Sequence, residues 1–282
     1  MSGAELLRLD VAMVRVGLAP SRTYAQELIR RGHVWVDGTK ASKTSQKISE
    51  QAVVQVDGDD GYASRGAYKL ESALAALGTD APPIAGRRVL DAGASAGGFT
   101  DVVLRHGAAA VVAVDVGHGQ LIARLAHDPR VQVRDGINIR YLEPADVAPA
   151  PDLVVGDLSF ISLTLVIPAV ARCVRPDGHW LLMVKPQFEV GPRAVGSGGV
   201  VRNLDLHAQA IGRVLRAAHD AALQPWAVAP SALPGPAGNI EYFLAMSGPQ
   251  AETPLPILRG DKESRAIQRA ITARPAATRG GE

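Results

Sequence analysis

Hydrophobic and polar positions change period several times along the 282-residue chain, and those changes mark out its parts. From Leu9 to Gly38, "LDVAMVRVGLAPSRTYAQELIRRGHVWVDG", the spacing predicts helix, turn, helix, turn and short strand. Gly17 is expected to end the first helix and Ser21 to cap the second. Ala25, Leu28 and Ile29 give the second helix one apolar face, and Gly32 stops it. "HVWVDG" then alternates with period two into an Asp37-Gly38 turn, a hairpin signal.

Beyond residue 66 short apolar runs alternate with amphipathic ones. Strands are predicted near 87–91, 110–115, 131–134, 152–156, 179–184, 225–229 and 240–246, with helices at 98–106, 119–127, 161–174 and 205–222. Val/Leu-rich strands separated by helices imply a parallel sheet covered on both faces. "SALPGPAGN" joins the last two strands without a helix, which suggests an antiparallel hairpin at one edge. The fold class is therefore α/β: a Rossmann-like seven-stranded domain over 66–250, preceded by a small α+β domain over 1–58. Residues 59–65, within the Gly- and Asp-rich run "DGDDGYASRG", read as a linker. Residues 251–282 read as a tail in which "KESRAIQRAI" is a candidate short helix and "PAATRGGE" is expected to be disordered.

Composition adds bounds. A chain 47% hydrophobic and 21% charged is an ordinary globular one with ample material for a core. Net charge is +2, which permits an acidic partner without arguing for one. Residues 1–58 hold eight basic and six acidic residues and so carry the whole excess. Arg22, Arg30 and Arg31 share one predicted helix, and Lys40, Lys43 and Lys47 follow the turn; a solvated face accounts for the charge alone. The single cysteine, Cys173, excludes an internal disulfide and reads as a small buried hydrophobe. The histidines are scattered and no cluster has metal-ligand spacing, so no metal is expected. "MSGAELLRLD" lacks a signal-peptide core and no uncharged stretch approaches a membrane span, so a cytoplasmic protein with no membrane partner is expected. Nothing points to an obligate protein partner.

The first candidate site is "VLDAGASAGGFTDVVL", residues 89–104, a strand running through a glycine turn into a helix. Gly93 lets the backbone turn, and Gly97-Gly98 bring the next helix close. Asp115 ends "AVVAVD" at the tip of the second strand, where an acid can accept both hydroxyls of a ribose. The candidate cofactor residues are Asp91, Gly93, Ala94, Ser95, Gly97, Gly98, Phe99 and Asp115, with Asn138 near an adenine after the third strand. NAD and S-adenosylmethionine both present such a ribose. The pattern D-x-G-x-S-x-G-G lacks the glycine that gives a pyrophosphate its close approach, which leans toward S-adenosylmethionine. A nicotinamide oxidoreductase stays open as the alternative.

Two apolar strands end in bare charges: Asp157 in "LVVGDLSFISL" and Lys185 in "LLMVKPQFE". A structural ion pair would explain two such groups. Glu241 begins the last strand, and Lys69 flanks the Ala67, Leu70, Leu74, Leu77 stripe of a helix. Spacing alone does not bring the four together.

Two resemblances extend this reading. "RLD…GLAPSRTYAQELIRRGHVWVDG" resembles the small RNA-binding module shared by a small-subunit ribosomal protein, several pseudouridine synthases and tyrosyl-tRNA synthetases. It implies RNA contact by the second helix and the following turn, with Arg8, Arg22, Arg30, Arg31, Lys40, Lys43 and Arg65 as candidate RNA-binding residues. "SRGAYKLESAL", "LDAGASAGGFTDVVL", "VVAVDVGHGQL", "DLVVGDLSFISL", "VKPQFEVG", "GGVV" and "LPGPAGNIEYFL" together resemble the TlyA family, sometimes labelled haemolysins, whose catalytic domain is similar to FtsJ-type ribose methyltransferases. That resemblance implies a class I methyltransferase fold, S-adenosylmethionine as cofactor, and methyl transfer to the 2′-hydroxyl of cytidine in the ribosomal RNA of ribosomal subunits. It also implies a catalytic tetrad at Lys69, Asp157, Lys185 and Glu241. In it Lys185 would meet the 2′-oxygen while Asp157 and Glu241 hold the two lysines. Flanking carboxylates favour a charged lysine, so orientation and charge stabilisation are expected over strict base catalysis. Against a pore-forming haemolysin stands the lack of any apolar span or basic amphipathic segment.

Overall fold

The computed structural model describes residues 6–274 apart from 17, 20, 21, 50 and 57–60; the expectations for Gly17, Ser21 and the tail end after 274 fall outside the described residues. The chain divides into two compact units, Met1–Ala67 and Tyr68–Glu282.

The first unit contains β1 (Leu6–Arg8), α1 (Leu9–Arg15), α2 (Arg22–Arg31), β2 (Val34–Val36), β3 (Thr39–Lys40), β4 (Lys47–Ser49) and β5 (Val54–Val56). Leu9, Met13, Tyr24, Ala25, Leu28 and Ile29 are buried, so the apolar face read for α2 is its packed face. β1 pairs with β4, and β2 is the centre of an antiparallel sheet ordered β3-β2-β5. The β2–β3 turn is a tight one because Asp37 (φ 49) and Gly38 (φ 76) both adopt left-handed backbone. Gly32 ends α2 with φ 75, and a Cβ there would lie 2.3 Å from Cε of Lys40.

The second unit runs α3 (Gly66–Leu77), β6 (Arg88–Ala92), α4 (Gly98–Arg105), β7 (Ala110–Val114), α5 (Ala123–Ala126), β8 (Val131–Arg134), β9 (Leu153–Gly156), α6 (Leu163–Ala171), β10 (His179–Val184), α7 (Pro186–Glu189), α8 (Leu204–Asp220), β11 (Gln224–Pro230), β12 (Tyr242–Ser247) and α9 (Asp261–Thr272). The sheet order is β11-β12-β10-β9-β6-β7-β8. The expected last pair is antiparallel, but β12 lies between β11 and β10 and is antiparallel to both. The helix predicted over 119–127 contracts to α5, because Gly119 at φ 61 and the Asp115–Gly117 turn hold the preceding segment out of helix.

Side-chain alternation sorts the sheet into two faces. Leu90, Val112, Val154, Leu182 and Leu244 pack in one core with Val166 and Ile167 of α6, Ile211 and Leu215 of α8 and Ile271 of α9. The alternate positions point to the side of α3 and α4: Phe243 stacks with Phe99 at 6.1 Å, and Met183 lies 3.8 Å from Nζ of Lys69. Cys173 is buried, and burial pushes its thiol up to about 11, in keeping with a packing residue.

Candidate active site

Strand register brings three distant charges to one edge. β9 and β10 are parallel, with Gly156 beside Leu182, so Asp157 and Lys185 follow their strands at the same carboxyl edge. Because β12 runs the other way, its beginning lies at that edge too. Val184 pairs with Tyr242, and one step further along this register Lys185 faces Glu241. All three are odd-numbered positions on the face toward α3, which carries Lys69.

The four side chains form a chain of alternating charge. Lys69 Nζ lies 2.6 Å from Glu241 Oε2 and 3.9 Å from Asp157 Oδ2. Lys185 Nζ lies 2.6 Å from Asp157 Oδ1 and donates to Ser159 Oγ at 2.8 Å. Formal charge sums to zero, which is what permits four ionisable groups so little water. Side-chain exposure rises from 1% at Glu241 and 6% at Lys69 to 9% at Lys185 and 21% at Asp157, so the open end of the chain is the Asp157–Lys185 end. Burial pushes the Asp157 carboxyl up, but the ammonium groups of Lys69 and Lys185 and the Lys185 hydrogen bond outweigh it, and the net direction is down. The closed end is roofed by the loop before β12: a Cβ on Gly235 would lie 2.6 Å from Glu241 Oε1. Ser72 of α3 ties that loop down, accepting from Ala232 N at 3.3 Å and donating to Lys69 O at 2.7 Å.

Beside the open end a cavity of about 870 Å³ lies beyond the carboxyl ends of β6, β7 and β9, lined by Gly93, Ser95, Asp115, Asn138, Asp157 and Ser159 among others. Asp115 Oδ2 accepts from Ser95 N at 2.9 Å and Oδ1 accepts from Gly117 N at 2.8 Å. Each carboxylate oxygen keeps a further lone pair, which suits a diol. Gly93, at φ 84, has no room for a Cβ: one would meet Leu158 Cδ2 at 2.9 Å and Asp157 O at 3.3 Å.

Of the nine residues expected to hold a cofactor, Gly93, Ser95, Asp115 and Asn138 line this cavity, and Asp91, Ala94, Gly97, Gly98 and Phe99 do not. Those five adjoin the turn from behind its wall. Asp91 is fully buried, accepting from Thr100 Oγ1 at 2.7 Å, and burial pushes its carboxyl up to about 7. Phe99 faces Phe243, and Gly97 at φ 98 starts α4 in contact with Leu121 and Leu125. Strand alternation and the inward turn of α4 decide this, and neither shows in a motif.

Several wall residues escaped sequence reading: Gln120, with Oε1 3.2 Å from Ser95 Oγ, together with Arg140, Tyr141 and Phe188. Phe160 is another, 92% exposed, at φ 63, with its ring 5.3 Å from that of Phe188. An exposed aromatic held in left-handed backbone was signalled only by its place three residues after Asp157.

In the first unit, Arg8 and Arg22 bond Asp10 at 3.0 and 3.3 Å, and Arg30 bonds Glu27 at 2.8 Å. The bonds from Arg8, foremost, and from Gln26 and Arg22 hold the buried Asp10 carboxyl well below the usual range. The three arginines remain about half exposed, and Arg31, Lys40 and Lys43 are exposed. Arg65, also expected to meet phosphate, has a side chain 16% exposed that lies 3.9 Å from Glu27. Among the described residues no helix is long and apolar enough to cross a membrane, and no group of His, Cys, Asp and Glu could hold a metal ion.

Comparison with known proteins agrees with this geometry. Residues 62–247 match the FtsJ-like methyltransferase family and residues 7–54 match the S4 domain. The 16S/23S rRNA (cytidine-2′-O)-methyltransferase TlyA of Mycobacterium tuberculosis is 49% identical over 86% of this chain and 90% of its own length. Hemolysin A of Brachyspira hyodysenteriae is 34% identical over 84% of this chain and 98% of its own length. A solved structure from Streptococcus thermophilus, described as a candidate hemolysin, superposes with a TM-score of 0.73 at 33% identity over 96% of both chains. The chain thus belongs to the TlyA family of FtsJ-like methyltransferases, in which an S4 domain precedes a class I methyltransferase fold with its methyl-donor type of cofactor.

Proposed function

We propose that this chain transfers a methyl group from S-adenosylmethionine to the 2′-hydroxyl of cytidine in ribosomal RNA. The observation that carries the reading is the Glu241–Lys69–Asp157–Lys185 chain, whose open end meets a cavity that the Asp115 carboxylate also lines. That cavity, about 870 Å³, falls within the range of about 300–1,000 Å³ usual for small-molecule sites. Gly93, Ser95, Asp115 and Asn138 would hold the cofactor, Asp115 through the ribose. S-adenosylmethionine supplies a methyl group on a positively charged sulfur, already activated toward attack.

The protein's share is alignment and charge. Lys185 Nζ, fixed by Asp157 and Ser159, would offer positive charge and an N–H to the 2′-oxygen as that oxygen gives its proton to solvent and takes the methyl group, the electron pair of the broken carbon–sulfur bond staying on sulfur. Asp157 is held in turn by Lys69, and Lys69 by Glu241, so the Lys185 ammonium is tied to two residues, Asp157 and Ser159, that line the cavity. Residues 1–58 would bring RNA through Arg22, Arg30, Arg31, Lys40 and Lys43, with 59–65 as the linker and 66–250 as the catalytic domain. A ribosomal substrate makes the cytoplasm the place of action. A haemolytic name on two relatives adds no second reading, since the one of them with a solved structure shares this chain's fold.

The test is labelled methyl transfer to each isolated ribosomal subunit, followed by mapping of alkali-resistant ribose positions. The expected result is label on a cytidine 2′-oxygen, lost in a folded Lys185→Ala variant. Label on a base, or binding of NAD in place of S-adenosylmethionine, would overturn the reading.

A further inference from the structure

Away from the cofactor cavity, an open groove of about 780 Å³ runs between α6 and α8. Its floor is proline and alanines, and its polar lining is Thr164, Arg172, Arg213, Arg216 and Asp220. Arg213, Arg216 and Asp220 follow helical spacing on one stripe of α8, while Arg172 caps the end of α6.

These arginines differ from several others in the same unit. Arg105 and Arg124 bond Asp101, Arg130 bonds Asp128, and Arg175 bonds Asp177, each guanidinium neutralised by a carboxylate. In the groove the hydrogen bonds go to neutral carbonyls: Arg172 Nη1 donates to Pro168 O at 3.1 Å, and Arg213 Nη1 donates to Glu189 O at 2.8 Å. Such bonds orient a guanidinium and leave its charge in place. The acids nearby are Glu143, itself 67% exposed and 3.9 Å from Arg172, Asp220 in the lining, and Glu189, whose carboxylate is bonded to Ser162 and Leu163 and feels the charge of Arg213. Arg216 is exposed and forms no ion pair among the described residues.

The groove begins at the same turn of α6 that borders the candidate active site. Ser162 and Leu165 of the α6 N-terminal turn line the cavity, and Thr164 between them lines the groove. Glu189, whose carbonyl holds Arg213, accepts from Leu163 N at 2.8 Å and Ser162 Oγ at 2.5 Å, which ties the arginine to the same turn. From Thr164 to Arg172 the helix advances only about 12 Å at 1.5 Å per residue.

Resting on the methyltransferase reading above, we propose that this groove binds the sugar–phosphate backbone of the RNA substrate beside the target nucleotide, with Arg172, Arg213 and Arg216 contacting phosphate oxygens. Guanidinium groups match phosphate through paired N–H donors, and a floor of small side chains lets a polymer backbone come close.

The experiment uses the full chain with Arg172→Gln and Arg216→Gln combined, leaving Arg213 and its bond to Glu189 intact. RNA affinity for a ribosomal subunit is measured against KCl concentration, alongside S-adenosylmethionine affinity and the kcat and KM of methyl transfer. Loss of two phosphate contacts should lower the slope of log affinity against log salt by about 1.4–1.8 and raise the KM for RNA roughly tenfold or more. S-adenosylmethionine affinity and kcat at saturating RNA should stay within about twofold, and Arg172→Lys with Arg216→Lys should restore most of the slope. An unchanged salt slope and KM in the folded double variant would overturn the proposal. So would a groove blocked by an acidic peptide with no effect on RNA binding. If the wild-type chain binds S-adenosylmethionine yet methylates no RNA, the methyltransferase reading itself fails, and the groove proposal with it; that outcome is visible before any variant is made.

Discussion

Replacing Lys69 with methionine tests whether the alternating charges act as one unit. The substitution keeps the side chain's bulk and leaves the Glu241 carboxylate, 1% exposed, without the ammonium that lies 2.6 Å from it. Removing one partner of a buried pair costs about 3–5 kcal/mol, because the survivor is desolvated and unpaired. In a unit of this size each kcal/mol moves the melting temperature by roughly 2–4 °C, so a loss of about 6–20 °C is expected. Adding Glu241→Leu removes the orphaned charge while Asp157 keeps Lys185 at 2.6 Å. The double variant should therefore melt within about 1–2 kcal/mol of the wild type. Its turnover should stay at least about 100-fold down, because nothing then fixes Asp157 from behind. Calorimetry of the full chain without cofactor, with methyl transfer assayed on the same samples, reads both quantities. The reasoning is refuted if Lys69→Met melts with the wild type. It is refuted equally if the double variant regains turnover along with stability, which would make the pair a structural ion pair and nothing more.

Asp115→Ala should weaken S-adenosylmethionine roughly 10–100-fold or more by calorimetry, since it removes the diol acceptor and strands the N–H groups of Ser95 and Gly117; unchanged affinity would take Asp115 out of the site. Asp91 gives a pH prediction: with its carboxyl raised from 3.8 to about 7, the folded chain keeps a proton that the unfolded chain releases across that window. Its contribution to stability therefore falls as pH rises from about 4 to about 7 and is level above. Asp91→Asn keeps an acceptor for Thr100 Oγ1 and should raise the melting temperature at pH 8 more than at pH 5; parallel shifts at the two pH values would contradict the burial argument.

Local chemistry was readable from the chain itself. Period-two and helical spacing located the seven strands and the main helices of the second unit, because each element must bury one face or stripe whatever its neighbours are. The Asp37-Gly38 turn, the Gly93 turn and Asp115 at the tip of β7 were likewise legible, since backbone conformation and the end of a strand are set within a few residues. The wall of the cavity was only half legible. Ser95 and Asn138 of that wall were read from the sequence, whereas Phe160 and Gln120 were not, because inward or outward direction depends on what packs against each element.

What tertiary structure alone decided is adjacency. Lys69 and Glu241 are 172 residues apart and meet at 2.6 Å only because β12 inserts antiparallel between β11 and β10, carrying its first residues to the carboxyl edge of the parallel strands. Arg172 joins Arg213 and Arg216 through the packing of α6 on α8, and Arg65 turns inward to Glu27. A sequence states which residues must be buried and where the chain can turn, since those are properties of single residues and short windows. Which strand lies beside which, and so which charges become partners, follows from the register and packing of surfaces far apart in the chain. In this protein the glycine turn beside the cavity belongs to the first kind of information, and the chain of charges that would act on the substrate belongs to the second.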